Sequence, residues 1–493
     1  MHVTDKPALI LGQDLITHGH LQHLKNQVAA ALHRDGLRSG DVVAICASTS
    51  LAYVVTFLGC VQSGVVVAPL APSSSADQLA AMLDNAQAKL LMTDAETLPR
   101  LPPARADLPR IALDDDASVG RAWSTWLASA SLAPSVQPQA DWPFNLIYSS
   151  GTTGVPKGIL QPFGMRWTQI ERARDNGYGP DCVCLNSTPL YSNTTLVSLI
   201  PALALGGTVV LMKKFDALGY LQLAQQHRVT HTMLVPVQYQ RLMDHADFDR
   251  HDLSHFQAKF CTSAPFRADL KREILRRWPG TLIEYYGMTE GGGRTELHCH
   301  QFPEKLHTVG RPAKGHDIRL IDENGIEVAP GESGEVVGSS GAMMKGYHRM
   351  PEKTREVEWW APDGKRFIRT GDVGRFDEDG FLVLGDRKKD MIISGGFNVY
   401  PVDIESVLMQ HPAVKECAVV GASSRQWGET PVAYVVPNPQ HPTVAPEDIK
   451  RWVNERVGKI QRLSALVLID AMPRSEIGKI LKRELRDSHP PLP

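Results

Sequence analysis

Residues 147–158 read IYSSGTTGVPKG, a dozen positions holding two serines, two threonines, three glycines and one lysine. Hydroxyls beside backbone N–H groups that glycine leaves accessible can ring a polyphosphate, and Lys157 can add charge. The usual nucleotide loop is excluded, because no Gly-Lys-Ser/Thr follows a four-residue gap. The stretch sits between two kinds of sequence. Just before it, TLPRLPPARADLPR and SLAPSVQPQADWP are proline-rich and polar, as surface connections are. Around these, helical spacing repeatedly gives way to short apolar runs. LQHLKNQVAAALHRDG leads to DVVAICA, LVSLIPALALGG to TVVLM, and LGYLQLAQQHRVTH to TMLVPV. Helix-then-strand repeats predict layered α/β structure with largely parallel sheets.

From about Ile318 the pattern changes. IRLIDENGIEV and FDEDGFLVLGD each set a D-E-x-G turn between strand-like runs, predicting hairpins in a β-rich subdomain. RKKDMIISGGFNVYPVDIE follows, then a compact α/β segment ending near residue 485. A domain boundary is expected near Asp386 to Asp390. At 493 residues the chain exceeds a single core, and about three structural units are expected.

Composition excludes several classes. Lys+Arg 52 against Asp+Glu 54 gives a net charge of -2, which argues against nucleic acid as a partner. No apolar run approaches the roughly 20 residues that span a bilayer. The N-terminus MHVTDKPALILGQDL lacks the basic lead and cleavage site of a signal peptide. Seven scattered cysteines are no disulfide framework, and a cytoplasmic location is expected. Cys182-Val183-Cys184 and His298-Cys299-His300 lack a second pair at zinc-site spacing and read as structural.

Three further stretches carry chemistry. YYGMTEGGG, residues 285–293, sets an acid beside a threonine between glycines, which suits magnesium and phosphates. In RTGDVGRFDEDGF, Asp372 on a tight turn can accept hydrogen bonds from ribose hydroxyls. In PRSEIGKILKREL, Lys479 behind a Ser-Glu-Ile-Gly turn can bring a point charge to a reacting centre.

In this order, SSGTTGVPKG, YYGMTE, RTGD, DRKKDMIISGGFNVYP and PRSEIGKI resemble the motifs of the adenylate-forming acyl-CoA synthetase superfamily, which includes luciferases and peptide-synthetase adenylation domains. The resemblance spans nearly the whole chain. It implies a large N-terminal domain, residues 1–388, of layered α/β subdomains plus a β-rich subdomain. A small mobile α+β C-terminal domain, 389–493, would pivot near Lys389. By the same resemblance Ser149, Ser150, Gly151, Thr152, Thr153, Gly154 and Lys157 form the phosphate loop. Thr289 and Glu290 handle the α-phosphate and Mg²⁺, with Glu290 the metal ligand. Ala264, Tyr286 and Gly287 border the nucleotide, Asp372 and Arg387 hold the ribose, and Lys479 is the adenylation lysine. Tyr191, Ser192, Asn193, Gln238, Ser263, Ala264 and Met288 border the acyl group. Ser394, Gly395 and Gly396 line the CoA path.

The implied reaction joins a carboxylate to the α-phosphate of ATP, releasing pyrophosphate, and then passes the acyl group to the thiol of CoA with release of AMP. Two anions must meet, which calls for Mg²⁺, a lysine and fixed hydroxyl donors. The expected partners are a carboxylic acid, ATP and CoA, with a homodimer compatible and a carrier protein as the alternative acceptor. Many relatives have PLFH or PMFH where this chain has PLYS, so Ser192 replaces a histidine. No Lys, Arg or His falls at the acyl positions, and no aspartate is placed to grip an amino group. A neutral-tailed aryl or medium-to-long alkyl acid is expected.

Overall fold

The computed structural model describes residues 5–102, 107–149, 156–387, 390–394, 397–424, 427–439, 441, 444–475 and 478–488. The chain packs as two units. The larger comprises Met1–Ile318 with Gly338–Ile368, and the smaller Arg319–Val337 with Arg369–Pro493. The boundary expected at Lys389 falls outside the described residues.

The larger unit holds two broad sheets. One runs, strand by neighbouring strand, through Gly346–Tyr347, Lys157–Pro162, Pro143–Ser149, Val66–Pro69, Val42–Ile45, Leu90–Thr93, Arg110–Ala112 and Arg121–Ala122. Its central strands, VVAI, VVAP and LLMT, are buried along their whole length, as strands covered on both faces must be. The second sheet runs Arg311–Pro312, Thr295–His298, Thr281–Tyr286, Ala258–Cys261, His231–Leu234, Val183–Asn186, Thr208–Leu211, Pro7–Leu11 and Asp14–Thr17. Helices expected from sequence fill the crossovers. His18–Arg34 starts at Thr17, whose hydroxyl accepts from the His20 N–H and satisfies a first-turn donor. Val28, Ala29, Ala31 and Leu32 of this helix are fully buried.

A third sheet orders His316–Ile321, Gly334–Ser340, Arg366–Phe376 and Glu358–Trp360, with Leu382–Arg387 also pairing Arg366–Phe376. The division between units cuts across three of these strands, His316–Ile321, Gly334–Ser340 and Arg366–Phe376. Both D-E-x-G turns are present as expected. Asp322 Oδ1 accepts from the N–H groups of Asn324 and Ile326, and Asp377 Oδ1 from those of Asp379 and Phe381. Gly325 and Gly380 each take φ 78°, a conformation glycine adopts without Cβ strain.

The smaller unit also contains the long hairpin of Val414–Ser424 and Gly428–Pro437, flanked by Ile392–Ser394 with Phe397–Val399 and by the parallel strand Ala465–Leu468. Ile404, Leu408, Val419, Val435, Ile449 and Val453 form a core on one side of this sheet. Val420, Val432, Tyr434 and Leu485 form another.

Candidate active site at the carboxyl ends of parallel strands

Val183–Asn186, His231–Leu234, Ala258–Cys261 and Thr281–Tyr286 are successive neighbours, all parallel. Their carboxyl ends therefore lie along one edge. In open α/β sheets this edge is where ligands bind. The segments leaving it are the predicted site: Tyr191–Asn193 after the first strand, Gln238 after the second, Ser263 and Ala264 after the third, and Gly287–Glu290 after the fourth. Four stretches scattered over a hundred residues of sequence become one row.

The Tyr286–Glu290 turn is fixed from outside. Gln161 Nε2 donates to the Thr289 carbonyl at 2.7 Å. The Met344 N–H donates to the Glu290 carbonyl at 2.8 Å, and the Tyr347 hydroxyl to Glu290 Oε1 at 2.9 Å. Burial, and then the Glu290 carboxylate, push the Tyr347 phenol far up, so it stays a donor. Gly291 closes the turn at φ 81°, where a Cβ would strike the Ala342 carbonyl oxygen. Beneath it, Glu284 is buried in an ion pair with Lys271, whose Nζ also donates to the Leu306 and Thr308 carbonyls at 2.8 and 3.1 Å. Burial raises the Glu284 carboxyl and Lys271 opposes that rise.

Ser149 and Lys157 face each other across the antiparallel ladder of Pro143–Ser149 and Lys157–Pro162. They flank the predicted phosphate loop, of which Ser150, Gly151, Thr152, Thr153 and Gly154 lie outside the described residues. Lys157 Nζ stands 4.8 Å from the centre of the Tyr347 ring, a cation–π contact that brings the lysine to the ring whose hydroxyl holds Glu290.

The acyl-side residues are tied into the scaffold. Ser192 caps the helix Asn193–Ala204, its hydroxyl accepting from the Thr194 N–H at 3.2 Å. That job explains a serine at this position, since serine is among the best N-caps. Gln238 also caps, Oε1 accepting from the Val235 N–H at 3.2 Å while Nε2 reaches Ser187. Ser263 takes φ 82°, rare for a residue with a Cβ, and its hydroxyl is 2.9 Å from that of Thr194. Met288 packs on Ile159, Met344, Tyr347 and Ile368.

Sequence reasoning missed Tyr347, Gln161, Thr194 and Arg166. Arg166 is 1% exposed and hydrogen-bonds amide oxygens of Gln161, Gln169 and Asn193 at 2.5, 2.9 and 2.9 Å. The acyl positions themselves carry no cation, as expected, yet Arg166 stands one hydrogen bond behind Asn193. Arg166 sits in the first turn of the helix Phe163–Asp175, and FGMRW carries no sequence signal that it turns inward. The cysteines behave as expected: Cys182 and Cys184 are buried, and burial drives both thiols up. No group of three metal-ligating side chains occurs among the described residues.

In the smaller unit, Asp372 lies directly across the ladder from Arg387, the two residues expected at the ribose. The Asp372 N–H donates to Thr370 Oγ1 at 3.0 Å, and Gly371 between them takes φ 71°. Lys479 closes a tight turn. Its N–H donates to Ser475 Oγ at 3.2 Å, the Ser475 N–H donates to its carbonyl at 2.9 Å, and Arg474 Nη1 donates to the Gly478 carbonyl at 2.7 Å. Ser394 is buried and paired with Phe397 and Gly428, while Lys389, Gly395 and Gly396 fall outside the described residues.

Residues 1–348 match the family model described as AMP-binding enzyme, and residues 403–479 the one described as AMP-binding enzyme C-terminal domain. The chain belongs to the AMP-binding enzyme family. This family member is an AMP-forming acid–thiol ligase that uses ATP, Mg²⁺ and CoA, and its architecture is the large-plus-small one of adenylate-forming enzymes. It is 33% identical to a feruloyl-CoA synthase of Amycolatopsis sp, over 96% of this chain and 94% of the relative. It is 30% identical to the fatty acid–[acyl-carrier-protein] ligase ScoC of Streptomyces coeruleorubidus, over 99% and 94%. Among solved structures it resembles ATP-bound MatB from Rhodopseudomonas palustris, with TM-score 0.87, 28% identity, and coverage of 99% and 96%. No described helix is long and apolar enough to cross a membrane.

Proposed function

We propose that this AMP-binding enzyme activates an aryl carboxylic acid of the substituted-cinnamate type and transfers it to CoA. The observation that carries the reading is the polar lining of the acyl side. Ser192, Asn193, Thr194 and Ser263 put hydroxyls and an amide along the strand ends, joined by the Thr194–Ser263 hydrogen bond. Each of these groups already has a partner within the protein, and the hydrogen-bonding capacity they have left can be used by ring oxygens but not by a bare alkyl chain. The likeness to a feruloyl-CoA synthase supports the same class. A medium-to-long alkyl acid is the second choice, and the likeness to ScoC keeps a carrier protein as alternative acceptor.

In this reading Thr152, Thr153 and Lys157 hold the phosphates, Asp372 and Arg387 the ribose, and Tyr286, Gly287 and Ala264 the adenine. Thr289 and Glu290 supply hard oxygen donors, so Mg²⁺ held there would neutralise phosphate charge. Lys479 offsets the mutual repulsion of carboxylate and α-phosphate as the anhydride forms. Residues 389–493 then act as the moving domain, pivoting near Lys389, with Ser394, Gly395 and Gly396 on the thiol path. A cytoplasmic setting fits the free cysteines, six of the seven buried.

The test is pyrophosphate and AMP release across cinnamic, benzoic and fatty acids, with CoA, with a phosphopantetheinyl carrier, and with neither. Preference for hydroxylated or methoxylated cinnamates with CoA is expected. A preference for fatty acids would overturn the aryl assignment, and acceleration by the carrier alone would reassign the acceptor.

A further inference from the structure

Arg166 is a fully buried cation that no described carboxylate neutralises. Its guanidinium lies among amide oxygens: Gln161 Oε1 at 2.5 Å, Asn193 Oδ1 and Gln169 Oε1 at 2.9 Å, and Asn145 Oδ1 at 3.4 Å. Its face stands 5.5 Å from the Phe144 ring centre. Burying a charge this way is unfavourable, and a neutral residue of similar volume would avoid the cost. The cost is paired with an arrangement. Gln161 accepts from Arg166 with its oxygen and, through the same amide, donates its N–H to the Thr289 carbonyl at 2.7 Å. The charge therefore dictates which way the Gln161 amide faces. Flipped, it would set N–H against guanidinium and oxygen against carbonyl. The same guanidinium nitrogen that holds Gln161, Nη2, also donates to Asn193 at the first turn of the acyl-side helix.

We propose that Arg166 is a positioning residue that, through Gln161 and Asn193, sets the Thr289–Glu290 turn and the acyl-side helix at the spacing adenylation needs. It touches neither ATP nor acid. A carboxylate partner on Arg166 would satisfy the charge and weaken its pull on the neutral amides, which accounts for the all-amide shell. The inference rests on the proposed role of Thr289 and Glu290 in adenylation.

Gln161→Glu separates positioning from support. It gives Arg166 the carboxylate it lacks while setting an acceptor against the Thr289 carbonyl. Thermal stability should hold or rise while kcat for acid-dependent pyrophosphate exchange falls at least about tenfold, with the KM for the acid little changed. Arg166→Met removes the hydrogen bonds to both Gln161 and Asn193 and should lower kcat and also raise that KM. A Gln161→Glu kcat within about twofold of the parent overturns the proposal, as does a kcat that falls only alongside stability. Glu290→Gln is measured in parallel. If it leaves exchange intact, the assigned role of the turn fails. If it abolishes exchange while Gln161→Glu does not, the positioning role alone fails.

Discussion

The Tyr286–Glu290 turn and the Arg474–Ile480 turn both present side chains suited to phosphate chemistry, and they are held in different ways. The first takes its hydrogen bonds from far along the chain: Gln161 lies 128 residues from Thr289, and Tyr347 lies 57 from Glu290. The second is tied to itself, Lys479 to Ser475 and Arg474 to Gly478, each four residues apart. A turn of the first kind exists only when its surrounding sheet is assembled. A turn of the second kind is written into its own short sequence. One depends on residues brought in from distant parts of the chain, and the other on a few of its own.

The comparison breaks first at Lys479. Lys479→Ala should lower acid-dependent pyrophosphate exchange by about 10²–10³. It should leave thiolation of preformed acyl-adenylate largely intact, and equal loss in both half-reactions would remove its assigned role. Next come the two closing glycines. Gly291→Ala meets both a positive φ and the Ala342 carbonyl, so we expect about 2–4 kcal/mol of destabilisation in denaturant melts. Gly478→Ala, at φ 76°, should cost only about 1–2 kcal/mol from its backbone conformation. Equal costs would erase the distinction between a turn built by the whole sheet and one built locally.

Acid sharpens the same contrast. His316 accepts from Arg172 at its Nε2 and lies 3.3 Å from the Gly292 carbonyl at its Nδ1, next to the first turn. Burial, then Arg172 and Arg294, push its ring down to about 4. Protons therefore bind the unfolded chain more readily than the folded one. Stability that is intact above the ordinary value of 6.5 is lost as pH falls toward 4. His316→Gln should flatten that slope in pH-dependent melts. Smallest is Tyr347→Phe, which removes one hydrogen bond to Glu290 and should cost about 1 kcal/mol with a several-fold fall in exchange rate.

Much of this could be read before any coordinates. The helix–strand alternation, the two D-E-x-G hairpins and the Asp372 turn are local, and local chemistry writes them in a few adjacent residues. The row of segments at the strand ends was legible only through resemblance, because sheet order depends on pairings between distant strands. Tyr347, Gln161 and Arg166 were not legible at all. Gly346–Tyr347 is a two-residue strand with no pattern of its own, and nothing in QPFGMRW says that the arginine turns inward. Ser192 was read as a lost histidine, whereas its structural work is at the first turn of a helix.

The ladder joining Ser149 to Lys157 has one more consequence. Along Lys157–Pro162 alternate residues share a face, so Lys157, Ile159 and Gln161 point the same way. Lys157 reaches Tyr347, Ile159 packs on it, and Gln161 holds Thr289. This strand works as a ruler whose graduations are read by three separate parts of the site. One residue inserted between Lys157 and Gln161 turns every mark beyond it to the opposite side of the strand, so Gln161 could no longer reach Thr289 while Lys157 faces Tyr347.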